Sequence, residues 1–213
     1  MILEERNTSL FANKTNSYME ICRDSIWQSI RSSNGSIICS ASGFIGNPKT
    51  NILQIIAYPD IESWQTSQGA WSSVENSLIK KETVRILRPI DSDSKSSISP
   101  EERKNIYEYQ KFIIDPVYLN EFTTCFKESI YKNFESLGIS FLGIWTLASS
   151  SNPLEIIQMT GYDNINHWEE CRLQIFDTNN ESDELWDREK ALRDRLEEIT
   201  IERSLNLVKS IVI

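Results

Sequence analysis

Apolar and polar positions alternate along this chain with two different periods, and each period marks a different element. In the second half, Ile106 to Ile113 is aromatic and β-branched, which predicts a strand. Asp115-Pro116 then supplies a helix cap with proline at the first helical position. Leu119, Phe122, Phe126, Ile130, Phe134 and Leu137 follow at three- and four-residue steps, one apolar helix face that Gly138 ends. Two strands are predicted at Ile139 to Leu147 and Leu154 to Tyr162, joined by the turn-forming Ala148-Ser-Ser-Ser-Asn-Pro153. A helix runs from Asn164 to Gln174, a polar break from Asp177 to Ser182. The stretch from Asp183 to Glu198 is a charged amphipathic helix with Leu185, Leu192, Leu196 and Ile199 inward, its charges a solvated face. Leu205 to Ile213 closes the series as a strand.

The first half repeats this order: strand 1–8, helix 17–32 opened by a Ser17/Glu20 capping box, strands 36–43 and 51–58, helix 60–80, strand 82–90. The repetition is also literal. Asn51-Ile-Leu-Gln-Ile-Ile-Ala-Tyr58 precedes Trp64, and Glu155-Ile-Ile-Gln-Met-Thr-Gly-Tyr162 precedes Trp168, both at a spacing of 104 residues. At the same spacing Ser25-Ile-Trp27 falls on Ser129-Ile-Tyr131 and Ile2-Leu3-Glu4 on Ile106-Tyr107-Glu108. Toward the end the spacing grows to 121, so the second half carries about 17 extra residues, near 177–198. Between the halves, Asp91-Ser-Asp-Ser-Lys-Ser-Ser-Ile-Ser99 has the composition of a flexible linker, and Ser99-Pro100-Glu-Glu102 has the form of a capping box. The expected organisation is repeat one at 1–91, a linker at 92–105 and repeat two at 106–213. The order β-α-β-β-α-β is the split, ferredoxin-like pattern. Its helices cover one sheet face and leave the other bare. A second copy in the same chain can cover it. The expected fold is therefore α+β, with two tandem ferredoxin-like repeats forming a pseudo-dimeric α+β barrel, as a monomer or a weak homodimer.

Composition narrows the function classes. The 213 residues carry a net charge of −9, with pI near 4.8 and 39% apolar residues. That balance lacks the basic footprint of a nucleic-acid binder. No run approaches the ~20 apolar residues of a membrane helix. Met1-Ile-Leu-Glu-Glu-Arg6 is charged from the start and lacks a signal-peptide core, giving the expectation of a cytoplasmic protein. Cys22, Cys39, Cys125 and Cys171 form no C-x-x-C and no zinc spacing, and read as buried reduced thiols. One histidine, His167, leaves little for a triad or a metal site, and no metal is expected.

Ile106-Tyr-Glu-Tyr-Gln-Lys-Phe112, Gly143-Ile-Trp145 and Tyr162-Asp163 together resemble the NIPSNAP family of the dimeric α+β-barrel superfamily. The resemblance covers 106–213 and reaches 1–90 mainly through the internal repeat. The family's first-strand Arg falls on Gln110 in repeat two, while repeat one has Arg6. Its third-strand His and Trp fall on Gln158 and Thr160, and on Gln54 and Ile56. Chemistry through that His is therefore not expected here. The wider superfamily includes haem-degrading and cofactor-free monooxygenases, cyclases, isomerases and binding proteins, and fold alone does not choose among them.

Strand alternation sorts the candidate residues. Glu4 with Arg6, Glu108 with Gln110, Gln54 with Tyr58, and Gln158 with Thr160 and Tyr162 lie on polar-bearing faces, expected to line the barrel. Trp145, on the face of Gly143, is expected to add an aromatic wall, while Leu53, Ile55, Ile157 and Met159 are expected to pack on helices. Glu108 is the candidate general base, since a desolvated carboxylate can work near neutral pH. The competing reading is a structural pair bridging the sheets, with Arg6 as partner for Glu4 or Glu108. His167 is a candidate acid or base, or a haem ligand, against a surface histidine beside a packed Trp168. Tyr162 is a candidate catalytic hydroxyl, against a strand-end Tyr with a local partner. Trp64 and Trp168 read as core anchors. The expected function is a cofactor-free barrel enzyme moving protons on a hydrophobic small molecule, by cyclisation, isomerisation or monooxygenation in secondary metabolism. The alternative is a non-catalytic binding or interaction scaffold, and a haem enzyme is a distant third.

Overall fold

The computed structural model describes residues 1–149, 152–176 and 184–211. In repeat one the strands are β1 (Ile2–Leu10), β2 (Ser36–Ile45), β3 (Asn51–Tyr58) and β4 (Ile79–Pro89). Helices α1 (Thr15–Ile21) and α2 (Trp27–Ser32), continuous through a π turn, join β1 to β2, and α3 (Ile61–Gln68) follows β3. Repeat two supplies β5 (Ile106–Ile114), α4 (Leu119–Ser129), β6 (Ser140–Leu147), β7 (Leu154–Tyr162), α5 (Ile165–Phe176), α6 (Glu184–Glu198) and β8 (Thr200–Ser210). The caps at Asp60 and Asp115 form: their carboxylates accept from Ser63 N at 2.8 Å and Val117 N at 3.0 Å. The expected Ser17/Glu20 box does not, because α1 begins at Thr15 and both residues fall inside it. The helix expected over 60–80 is α3 plus a short 3-10 turn, and β4 begins at Ile79. The polar break at 177–182 lies outside the described residues.

Each repeat builds its sheet in the order fourth, first, third, second strand, and the two sheets join into a closed barrel, β1-β3-β2-β8-β5-β7-β6-β4. Every pairing is antiparallel. The internal repeat fixes the register. Arg6 faces Gln54 across β1–β3, and Gln110 faces Gln158 across β5–β7, at matching positions. The seams are β2–β8 around Ala41 and Ser210, and β4–β6 around Leu87 and Leu147. The serine-rich linker is not free chain. Lys95 N donates to Leu142 O at 2.8 Å and Ser94 Oγ to Ile144 O at 3.2 Å, so the linker caps the open edge of β6.

The barrel interior is where the sequence-based assignment of faces reverses. Leu3, Leu53, Ile55, Leu87, Tyr107, Leu142, Ile157, Met159 and Val208 pack together inside it, with strands contributing and no helix. Trp145 belongs to this packing and is fully buried, not part of a cavity wall beside Glu108. The interior is filled by side chains. Leu53, Ile55, Ile157 and Met159 thus point inward, and Glu4, Arg6, Gln54, Glu108, Gln110 and Gln158 point outward, under the helices. Inside, a polar cluster centred on Glu5 interrupts the apolar packing, and the Trp145 indole N–H is buried without a partner. Glu5, fully buried, accepts from Tyr109 OH at 2.8 Å and from Arg85 Nε at 3.0 Å, and Arg85 NH1 reaches Glu155 at 2.6 Å. Glu5 and Tyr109 are 104 residues apart, so they are equivalent positions of the two repeats meeting each other. Burial and the Glu5 charge push the Tyr109 phenol well above its ordinary range, which keeps it a donor.

Gly143, at a bulge of β6, lies under the Trp145 indole; a Cβ there would come within 2.4 Å of the ring. Gly143→Ala is expected to cost about 1–3 kcal/mol through overpacking. A lower urea midpoint at unchanged slope would show it; an unchanged midpoint would mean the indole re-seats freely.

Candidate functional site

The outward face of each sheet carries one carboxylate that the covering helix pins. In repeat one, Glu4 of β1 accepts from Trp64 Nε1 at 2.6 Å and Gln68 Nε2 at 2.8 Å, both on α3, and from Arg6 Nε at 2.8 Å. Arg6 also meets Glu82 of β4 at 2.5 Å and lies 3.7 Å from the centre of the Trp71 ring. In repeat two, Glu108 of β5 accepts from Trp168 Nε1 and Gln110 Nε2, and from Arg172 NH1 at 3.3 Å. Strand carboxylate, strand partner, helix indole and helix partner correspond residue for residue at the spacing of 104. The charges do not. The cation sits on the strand in repeat one (Arg6) and on the helix in repeat two (Arg172), with the amides Gln68 and Gln110 in the complementary places. Glu82 of β4 is matched by Arg203 of β8, whose guanidinium donates to Gln110 Oε1 at 2.8 and 3.1 Å. Among the described residues, repeat one therefore holds Glu4 and Glu82 around Arg6, and repeat two holds Glu108 near Arg172 and Arg203.

The packing around the two copies differs as well. Repeat one is closed: Gln54 accepts from Trp27 Nε1 at 2.9 Å and donates to Tyr18 OH at 3.1 Å, and all three are buried. At the matching positions repeat two has Gln158, Tyr131 and Phe122. Phe122 has no hydroxyl, and Tyr131 packs with Phe141 at 4.7 Å instead. Trp71 is matched by the smaller Ile175. A cleft opens there between sheet and helices. Glu108, Gln110, Gln158, Tyr162, Arg172 and Arg203 supply its polar groups, and Phe112, Phe126, Ile130, Phe134 and Ile175 its apolar walls. Its enclosed part is about 30 Å³, space for one or two water molecules. Gln158 is buried and lines the cleft, and its amide has no hydrogen-bond partner among the described residues. Burial raises the Glu108 pKa above the ordinary carboxylate range, against the opposing pull of Trp168, Arg172 and Arg203. Burial and the Glu108 charge push the Tyr162 phenol up in turn.

Of the candidate residues, the cleft gathers Glu108, Gln110, Gln158 and Tyr162. Thr160 is buried beside it, its hydroxyl 3.3 Å from Tyr162 OH. Glu4, Arg6, Gln54 and Tyr58 lie together in the closed copy, where Tyr58 OH accepts from Ser67 Oγ at 2.9 Å. Arg6 pairs within repeat one and does not bridge the sheets. Trp145 is in the barrel interior. His167 does not line the cleft: Nδ1 accepts from Asp163 N at 3.2 Å and Nε2 meets Leu137 O at 2.8 Å. With both ring nitrogens engaged by backbone, His167 offers none to a substrate or a haem iron. Trp64 and Trp168 are more than core anchors, since their indole N–H groups hold the carboxylates. The residues missed from sequence are Arg172 and Arg203. Extending the repeat spacing one helical turn past Trp168 finds the first, and the 121-residue spacing from Glu82 finds the second. Among the described residues no three His, Cys, Asp or Glu side chains converge as metal ligands, and no helix is long and apolar enough to cross a membrane.

No known family's sequence pattern matches the chain, and no curated protein matches it in sequence. Solved structures do share its fold over its whole length. A proposed monooxygenase from Lactobacillus acidophilus superposes with a TM-score of 0.65 at 12% identity, covering 100% of this chain and 98% of that one. A second proposed monooxygenase, from Fusobacterium nucleatum, gives 0.66 at 15% identity, covering 99% and 92%. An anthrone oxidase-like protein gives 0.59 at 13% identity, covering 99% and 91%. These likenesses show the α+β barrel. Likeness to NIPSNAP structures spans only about half of the chain, 51% for a Burkholderia xenovorans protein at a TM-score of 0.40.

The raised Glu108 pKa has a sign for stability. The folded state holds that proton to higher pH than the unfolded chain, so ionising Glu108 weakens folding. Its contribution is full below the ordinary carboxylate pKa and is lost as pH rises through the raised value. Urea unfolding across that window is expected to show wild-type stability falling relative to Glu108→Gln; parallel curves would mean an unshifted carboxylate.

Proposed function

We propose that the repeat-two cleft is the working site of a cofactor-free barrel enzyme that removes a proton from a hydrophobic small molecule, with Glu108 as the base. The observation that carries this reading is the asymmetry of the two copies. The same carboxylate–indole frame is sealed by Trp27, Tyr18 and Trp71 in repeat one and opened to a polar-floored, apolar-walled cleft in repeat two. A duplicated structural pin would have no need of the opening. Glu108 has three donors and about four lone-pair directions, so one direction stays available for a substrate proton. Burial supplies its basicity. Arg172 and Arg203 stand where a developing enolate or phenolate charge would be stabilised. Cyclisation or isomerisation would follow from the anion so formed, or oxygenation with dioxygen as co-substrate, the anion giving its electrons to dioxygen, one oxygen atom entering the product and the other leaving as water. The two proposed monooxygenases and the anthrone oxidase-like protein that share the barrel are in keeping with chemistry of this type. The NIPSNAP resemblance adds no reaction of its own.

A second reading, a binding protein without turnover, is favoured by the filled barrel and by the small enclosed volume of the cleft. Hydrogen–deuterium exchange separates the two. Carbon acids, anthrone among them, are incubated with the protein in D₂O and their C–H signals followed by NMR. Wild type is expected to accelerate exchange, and Glu108→Gln to lose about 10²–10⁴-fold of the acceleration. Equal exchange with both proteins would remove Glu108 as the base, and binding without accelerated exchange by wild type would favour the second reading.

A further inference from the structure

We propose that Gln158 selects the ligand of the repeat-two cleft: an uncharged molecule with a hydroxyl group, alcohol or phenol, that hydrogen-bonds the Gln158 amide while its apolar body lies against the phenylalanine walls. This rests on the cleft being the working site and adds the group that the site recognises.

The closed copy shows what this amide binds when its partners are built in. Trp27 Nε1 donates to Gln54 Oε1 at 2.9 Å, and Gln54 Nε2 donates to Tyr18 OH at 3.1 Å. Tyr18 OH in turn lies 3.3 Å from Thr8 Oγ1. At the spacing of 104, Thr8 becomes Phe112 and Tyr18 becomes Phe122, and the hydroxyl pair is replaced by two rings in edge contact, 5.2 Å between centres. The position of Trp27 is Tyr131, which lies against Phe141 instead. Gln158 alone of this group keeps its polar side chain. It is 3% exposed, it lines the cleft, and its amide has no hydrogen-bond partner among the described residues. Its polar neighbours are engaged with one another: Gln110, directly opposite on β5, with Glu108 and Arg203, and Tyr162 with Thr160. A buried amide left so costs free energy until water or a ligand meets it.

The chemistry of the missing partner follows. The amide offers a donor and an acceptor together. An anion would meet the N–H and face the carbonyl dipole, and a cation the reverse. A hydroxyl does both with one atom, accepting from Nε2 and donating to Oε1, and so takes the place of both Tyr18 OH and the Trp27 N–H. Size agrees with this. The enclosed part of the cleft, about 30 Å³, admits one oxygen function and not a ring. The ring or chain that bears it stays in the outer part, between Phe112, Phe126 and Phe134. Glu108 faces Thr160 across β5–β7, two residues along from Gln158, so the two are diagonal neighbours about 7 Å apart. A ligand anchored by its hydroxyl at Gln158 therefore has its body beside Glu108.

The test titrates the full chain with p-cresol and with toluene, the same ring and methyl group without the hydroxyl. The indole N–H of Trp168, which donates to Glu108, reports occupation of the cleft by NMR. The cresol is expected to bind about tenfold more tightly than toluene. Gln158→Met, close in shape, is expected to bring cresol down to the affinity of toluene and to leave toluene unchanged. Equal affinities in wild type, or a cresol preference that survives Gln158→Met, would overturn the hydroxyl assignment while leaving the cleft as a site. No Trp168 response to either compound at millimolar concentration would overturn both. A cresol preference lost in Gln158→Met, in a protein that does not accelerate C–H exchange, would uphold the hydroxyl site and remove only the catalytic reading. Urea unfolding checks the amide without any ligand. Gln158→Met is expected to keep or raise the midpoint, since it removes an amide that has no partner, whereas Gln54→Met strands Trp27 and Tyr18 and is expected to lower it. An equal fall in both variants would mean that Gln158 has a partner within the fold, and would overturn the assignment.

Discussion

A four-stranded sheet with its helices on one side leaves its other face open to water, and everything else in this protein follows from covering that face. One repeat cannot bury both faces of its own sheet. Two repeats in one chain can, and closing the barrel turns the two bare faces toward each other. The enclosed space is narrow, so apolar side chains fill it. A buried ionised group survives there only with matched partners. Glu5 has them in Tyr109, its equivalent from the other repeat, and in Arg85, which ties it onward to Glu155. These contacts cross between the repeats and join them at the centre of the molecule.

With the interior filled, chemistry has to lie outside the sheet, in the layer between strands and helices. There the duplication leaves two solutions of one frame. Each repeat anchors a strand carboxylate by the indole of a covering helix. Repeat one balances that carboxylate tightly and seals it with large aromatic residues. Repeat two exchanges the places of cation and amide, adds a second cation, and removes the aromatic plug. One copy is thereby closed over its carboxylate, and the other keeps a cleft lined by Glu108, Gln158 and two arginines.

Much of this was legible along the chain. The repeat spacing found Glu4 and Glu108, Trp64 and Trp168, and Gln54 and Gln158 as matching pairs, and the split β-α-β-β-α-β order implied two sheets meeting. The inside and outside of the barrel were not legible. In β3 and β7 nearly every residue is buried, because one face packs within the barrel and the other beneath helices. Alternation identifies two faces, but when both are buried it does not say which is which. Polar residues were assigned to the interior on the expectation of a ligand cavity there. They lie instead beneath the helices, where Glu4 and Glu108 accept from the indoles of Trp64 and Trp168 and Gln54 pairs with Trp27 and Tyr18. Trp145 does point into the barrel as expected, but the interior it meets is filled and forms no cavity wall.

His167 shows a second limit. Sequence gives a lone histidine near a helix start; Asp163 N, four residues back, meets one ring nitrogen, and only the approach of Leu137 O from elsewhere in repeat two decides that the other is occupied too. The sequence by itself determined the elements, their order, their duplication and the residues that correspond between the copies, since these depend on local periodicity and spacing. The tertiary structure decided which face is enclosed, which partners each buried charge meets, and which copy stays open. Those outcomes depend on side chains brought together from distant parts of the chain: Glu82 beside Arg6, Arg203 beside Gln110, and Trp71 where repeat two has Ile175.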